Sequence, residues 1–172
     1  NGAPLVRRTV EGVLSSRAGP VVAVVADADV VAALDDLPVK IVVNPDAASG
    51  MASSLKVGLA ALPPEVAGVV ACLGDMPLAP AAIDRLIAAF DPAGGRDIVA
   101  PTRGGRRGNP VLWGRAHFAA IQQLTGDVGA RALLAERADR LVLVETAADG
   151  VLIDVDTAED LEKVRLLLGK NA

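Results

Sequence analysis

The sequence predicts an α/β protein, a three-layer sandwich with helices on both faces of a sheet. Three observations carry that prediction. Short runs of valine, alanine and leucine alternate along the chain with segments of helical periodicity. Apolar residues make up 52% of the 172 residues but aromatics only 2% (Trp113, Phe90, Phe118, no Tyr), so aliphatic side chains must fill the core, which suits a helix-covered parallel sheet. Val66 to Cys72 is apolar without alternation, the pattern of a strand buried on both faces.

Each element follows in order. Pro4 to Arg17 reads as a helix with Leu5, Val6, Val10, Val13 and Leu14 on its apolar positions. Val21 to Ala26 reads as a strand, Asp29 to Leu34 as a short helix, and Val39 to Val43 as a second strand. Small residues precede Met51 to Leu62, which reads as a helix. After the Val66 strand, Pro80 to Phe90 is helical and Asp97 to Ala100 a strand. Thr102 to Asn109 is a Gly/Arg loop, and Val111 to Trp113 a short strand. His117 to Leu124 and Ala130 to Ala135 read as helices, and Leu141 to Val144 and Val151 to Ile153 as short strands. Thr157 to Leu168 is a closing helix. There is no internal repeat, low-complexity tract or linker.

Length predicts one domain over residues 1–172. A formal charge of −4 argues against bulk binding of nucleic acid. No apolar run reaches the ~18–20 residues of a membrane span, and no signal-peptide pattern is visible. The single cysteine, Cys72, lies in a predicted strand without metal-site spacing, which fits a core residue and a reducing cytoplasm. The chain opens Asn1-Gly2-Ala3-Pro4 without an initiator Met, and further sequence is expected upstream.

Leu73-Gly74-Asp75-Met76-Pro77 is the strongest functional signal. It delivers a carboxylate at the C-terminal end of a parallel strand, where open α/β sheets bind ligands. Unpaired there, the carboxylate costs free energy unless a donor or a divalent cation compensates it; the alternative is a local cap of the next turn. Asn44-Pro45-Asp46 ends another strand, and Gly50-Met51-Ala52-Ser53-Ser54 opens a helix whose free N–H groups suit an anion or a base edge. Ordinary capping by Ser53 or a turn at Asn44 and Asp46 is the competing account. Arg103, Arg106 and Arg107 sit in a Gly-rich loop, either solvated or set to grip phosphate. In Gly126-Asp127-Val128-Gly129-Ala130-Arg131, Asp127 reads as an N-cap, and Arg131 in the first helical turn calls for an anionic partner. In Asp154-Val155-Asp156-Thr157, alternation puts both carboxylates on one face; Asp156 or Thr157 caps the last helix, with Glu159 or Asp160 completing a box. His117, among apolar neighbours, is structural or exposed rather than a base.

Five segments, in this order, resemble the MobA-like nucleotidyltransferases, and in particular those of the molybdenum cofactor cytidylyltransferase type: Asn44-Pro45-Asp46 with Gly50–Leu55, Leu73–Pro77, Arg106–Leu112, Gly126–Arg131 and Asp154–Thr157. The resemblance spans nearly the whole chain. It implies a Rossmann-like, mostly parallel sheet with a mixed C-terminal part, of the nucleotide-diphospho-sugar transferase type. It implies coupling of a nucleoside triphosphate to a phosphorylated acceptor with release of pyrophosphate: here CTP, molybdopterin and Mg2+. Asp75 and Asp156 would be the catalytic metal ligands. Asn44, Gly50, Met51, Ser53, Ser54 and Gly74, with Asp75, would serve the nucleotide. Arg107, Gly108, Asn109, Pro110 and Arg131 would serve the acceptor. A molybdoenzyme or chaperone would be the protein partner. Guanylyl transfer to molybdopterin, cytidylyl transfer to a sugar or polyol phosphate, and a non-catalytic nucleotide- or pterin-binding domain of a fused protein stay open. One departure is clear. The family's opening strand and Gly-rich phosphate loop have no counterpart here, because Asn1–Leu5 aligns with the segment just after them. The chain as it stands is expected to bind CTP weakly.

Overall fold

The computed structural model describes residues 3–126, 129–147 and 149–170, with only the backbone at 129 and 168–170. The reading of Asp127 as an N-cap lies outside the described residues. Helices α1 (Leu5–Leu14), α2 (Ala28–Ala32), α3 (Met51–Ala61), α4 (Ile83–Ala89), α5 (Phe118–Ile121), α6 (Gly129–Glu136) and α7 (Ala158–Lys170) alternate with strands. The strands are β1 (Val22–Val25), β2 (Lys40–Val43), β3 (Gly68–Ala71), β4 (Ile98–Arg103), β5 (Arg106–Arg107), β6 (Val111–Gly114) and β7 (Leu141–Glu145).

β1 and β2 form a parallel pair of their own. The second sheet has β3, β6 and β4 side by side, with β7 and the short β5 also on β4. β6 runs antiparallel to both β3 and β4, while β7 is parallel to β4. β3, β4 and β7 therefore point the same way, and their C-terminal ends share one rim.

The pleat divides side chains between two cores. Val69, Ala71, Ile98, Ala100, Val111, Trp113 and Leu141 face Leu59 of α3, Ile121 of α5 and Leu133 and Leu134 of α6. Val70, Val99, Leu112, Val142 and Val144 face Leu86 of α4. A third cluster packs Val6, Val10 and Leu14 of α1 and Val30 and Val31 of α2 on Ala23, Val25 and Ile41. Helices thus lie on both faces, and aliphatic side chains fill the core as the composition requires. β3 is half-buried rather than buried on both faces, and no strand ladder joins it to β1 among the described residues.

Four elements differ from the sequence reading. The 102–109 stretch is not a loop but a hairpin. Gly104 and Gly105 hold φ of 56° and 77°, the backbone a two-residue turn demands, and Thr102 and Arg103 pair with Arg107 and Arg106. Residues 151–153 form no strand. Asp149–Leu152 is a 3-10 turn, because the Val151 carbonyl turns aside to accept from Asn109 N at 2.9 Å. Pro80 lies in a 3-10 turn, Ala79–Ala82, ahead of α4. The helix expected over 117–124 is a 3-10 turn, Arg115–His117, followed by the four residues of α5.

Candidate active site

The turn after β3 begins with Met76 N donating to Leu73 O at 3.3 Å. Pro77 ends extended pairing, and the chain reverses through Ala79. Asp75 stands at the head of this turn, half-buried, with Oδ1 enclosed and without a hydrogen-bond partner. Burial raises its pKa above the usual carboxylate value, and the charges of Asp154 and Asp156 push it further in the same direction. The C-terminal segment meets the turn directly, since Val155 N donates to Asp75 O at 3.1 Å.

The last helix settles what Asp156 is not. Thr157 Oγ1 accepts from Asp160 N at 3.2 Å, and Asp160 Oδ2 accepts from Thr157 N at 3.2 Å. Thr157 and Asp160 thus form the capping box, leaving Asp154 and Asp156 exposed and free of that duty. Asp75 thus has an unpartnered oxygen and lies within the electrostatic reach of two further carboxylates. Among the described residues no three His, Cys, Asp or Glu side chains reach metal-holding spacing. Carboxylate oxygens are the donors of a hard divalent cation, which can take one or two of them and complete its shell with water and phosphate.

Two other segments close on the same rim. Gly108 N donates to Pro101 O and Asn109 N to Val151 O, both at 2.9 Å. A Cβ on Gly108 would collide with the Val151 carbonyl and one on Gly150 with Leu78, so the Gly108-Asn109-Pro110 turn, the 149–152 turn and the Asp75 turn are packed without slack. Arg103 Nε donates to Asp149 Oδ1 at 2.7 Å, and Gly104 N to Glu145 at 3.0 Å, which anchors the hairpin. Arg106 and Arg107 are exposed beyond it, without a carboxylate partner among the described residues.

The Asn44 region forms the turn at Asn44 and Asp46 that the competing account expects. Asn44 is buried, its Nδ2 donates to Ser53 Oγ at 2.9 Å and Ser54 Oγ at 3.0 Å, and its Oδ1 accepts from Asp46 N at 3.0 Å. Ser53 Oγ lies 2.9 Å from both Asp46 O and Gly50 O. Free N–H groups were expected at the start of α3, but Ala52 N bonds Gly126 O at 3.2 Å and Ser53 N bonds Gly50 O at 3.1 Å. Asn44 and Ser53 therefore brace the loop from within, and the loop turns Met51 outward, 55% exposed. This bond places Gly126 beside the loop, and Arg131 of α6 is exposed. Gly74 is exposed beside Asp75.

The sequence gives no local sign of the buried cluster at the opposite rim. Asp97, just before β4, accepts two bonds of 2.9 Å from Arg140, just before β7, and His117 Nε2 lies 3.1 Å from its Oδ1. The Arg140 bonds, joined by His117, lower the Asp97 pKa to about 2. His117 is structural.

A model of the MobA-like NTP transferase domain matches residues 1–141. The chain belongs to this family. A search of curated protein sequences gives no match. Among solved structures, a nucleotidyl transferase from Methanothermobacter superposes with a TM-score of 0.86 at 22% identity, over 100% of this chain and 83% of its own. A Mycobacterium tuberculosis protein crystallised with manganese gives 0.75 at 24%, over 95% and 87%. A CMP:2-keto-3-deoxy-manno-octonic acid synthetase in complex with CTP gives 0.76 at 16%, over 98% and 89%. The MobA-like domain is thus a nucleotidyltransferase by family, and these likenesses share its fold.

Proposed function

We propose that this MobA-like domain transfers the cytidylyl group of CTP to the terminal phosphate of molybdopterin and releases pyrophosphate, with Mg2+ held by Asp75 and Asp156. The observation that carries the reading is the Asp75 carboxylate, fixed at a strand end with a buried, unpartnered oxygen and within the electrostatic reach of Asp154 and Asp156. A fold-mate complexed with CTP and another crystallised with manganese support the choice of ligands.

The chemistry asks for positioning rather than a side-chain nucleophile. The acceptor phosphate oxygen attacks the α-phosphorus in line, the new P–O bond forms, and the bond to pyrophosphate breaks. When bound, the cation supplies charge stabilisation for the transferring and leaving phosphates. Asp75 and Asp156 contribute the anionic ligands. The Asn44–Ser53 brace holds the nucleotide loop, and Met51 gives it an apolar surface for the base. Gly108–Pro110 lets the acceptor approach the backbone, while Arg107 and Arg131 offer guanidinium groups to phosphate oxygens. Cys72 is not a nucleophile, because burial pushes its thiol up to about 11. His117 lies at the opposite rim, its Nε2 3.1 Å from Asp97 Oδ1.

The same reading treats residues 1–172 as one transferase domain in a reducing cytoplasm, handing its product to a molybdoenzyme or its chaperone. Among the described residues no helix is long and apolar enough to cross a membrane. Pyrophosphate release from CTP, GTP and ATP, each with molybdopterin or a polyol phosphate and Mg2+, measured in a chain that also carries the family's phosphate loop, tests it. Release only with CTP and molybdopterin is expected. A preference for GTP or for the polyol phosphate would reassign the substrate, and no release with any pair would favour a binding domain. Asp75→Asn is expected to cost about 3 kcal/mol of transition-state stabilisation, roughly a hundredfold in rate.

A further inference from the structure

α1 lies along the Asp75 turn by one stripe of its surface. Val6, Thr9 and Gly12 follow each other at a spacing of three and meet, in turn, Gly74, the Gly74 carbonyl and Pro80. Thr9 is 2% exposed, and its hydroxyl has one proton to give. Oγ1 lies 2.9 Å from Gly74 O and 3.3 Å from Leu5 O in its own helix, so the shorter bond, to the turn, takes the proton. Gly74 O is thereby held from α1 while Asp75 O is held by Val155 N from the C-terminal side. The backbone on both sides of the Asp75 side chain is pinned by elements more than sixty residues away in sequence. That matters because the Asp75 carboxylate occupies an unfavourable place, with Oδ1 enclosed and unpartnered. A turn free to relax would swing it into water. Only a surrounding structure that over-determines the turn keeps it there.

We propose that Thr9 is a positioning residue for Asp75: its hydroxyl fixes the Gly74 carbonyl and so holds the Asp75 carboxylate in its enclosed pose, ready for a divalent cation. The proposal rests on the reading of Asp75 as a cation ligand. Mn2+ binding to the full chain, followed by water-proton relaxation, tests it with thermal midpoints measured in parallel. Thr9→Val keeps the shape and removes the donor, and Mn2+ affinity is expected to fall about tenfold, the usual cost of losing an outer partner of a metal ligand. Thr9→Ser restores the hydroxyl and the affinity. Val10→Ala, which thins the apolar side of α1 away from the turn, lowers the thermal midpoint but leaves Mn2+ affinity unchanged. If Thr9→Val does not fold, Thr9→Ala carries the same readout. Unchanged affinity in the folded Thr9 variant, or an equal loss in Val10→Ala, overturns the positioning role. Asp75→Asn separates the two levels. If it binds Mn2+ like the wild type, the cation reading itself fails and takes the proposal with it. If it loses Mn2+ while Thr9→Val does not, only the role of Thr9 fails.

Discussion

Asp75, Asp154 and Asp156 are not equivalent. Asp75 is enclosed and pinned, whereas Asp154 and Asp156 sit exposed on an extended segment just before α7. An exposed carboxylate close to a like charge is a liability in the empty protein and an asset once a cation arrives. Asp156→Asn should therefore leave the thermal midpoint unchanged or slightly raised, while the Mg2+ concentration for half-maximal turnover rises several-fold. Asp154→Asn made alongside shows how the two share the work. A wild-type Mg2+ dependence in both variants would mean that neither faces the ion. The strand-end carboxylate was legible because Gly74 and Pro77 frame it. The brace at Asn44 and Ser53 was legible in position but not in role, since only the folded loop reveals that their polar groups face each other. Thr9 carried no signal at all, because a threonine in a helix looks like any other until the carbonyl it meets is known.

Among the elements, α7 gives the sharpest check. Its capping box is Thr157 with Asp160, and the Asp160 pKa is lowered chiefly by the Thr157 hydroxyl bond. Thr157→Ala should cost about 1 kcal/mol in denaturant unfolding. Asp156→Asn should cost nothing measurable there, so the pair of variants separates cap from site. Periodicity located every long helix and, apart from β5, the strands of both sheets to within a few residues. It failed at residues 151–153, where three apolar residues read as a strand but the Val151 carbonyl is claimed by Asn109. It failed also at the Arg hairpin, where composition suggested disorder and paired glycines of positive φ made a tight turn instead. Local sequence records propensity. It does not record which distant backbone group a carbonyl will meet.

Among the described residues, the two sheets are joined through helices rather than through a ladder. α1 packs on the β1–β2 pair and on the turn after β3, and α3 packs on β1 and on α5. β4 and β6 are buried almost throughout, while β1 and β2 are mostly half-buried or exposed. Native-state hydrogen exchange should show the β1–β2 amides opening a few kcal/mol below the β4 and β6 amides. Equal opening energies would mean one cooperative unit. Acid should act elsewhere. Asp97 titrates at about 2 when folded and near 3.9 when unfolded, so its contribution is complete above pH ~4 and is lost as pH falls towards 2. Asp97→Asn should be less stable than the wild type at neutral pH, with the gap narrowing by on the order of 2 kcal/mol between pH 5 and 2. A gap that stays constant over that range would refute the assignment. This pair was invisible in the sequence, because 43 residues separate Asp97 from Arg140 and neither lies in a motif.

Cys72 is the chain's one cysteine, and its thiol is pushed up to about 11 by burial. At neutral pH only about one molecule in ten thousand carries the thiolate that alkylating reagents attack. This chain is therefore its own cysteine-silent background. One cysteine introduced at the outward hairpin position of Arg106 and a second at Met51 would take up a dye pair without touching Cys72. The span between the hairpin and the Met51 loop then becomes a distance that can be read by fluorescence as each proposed ligand is added.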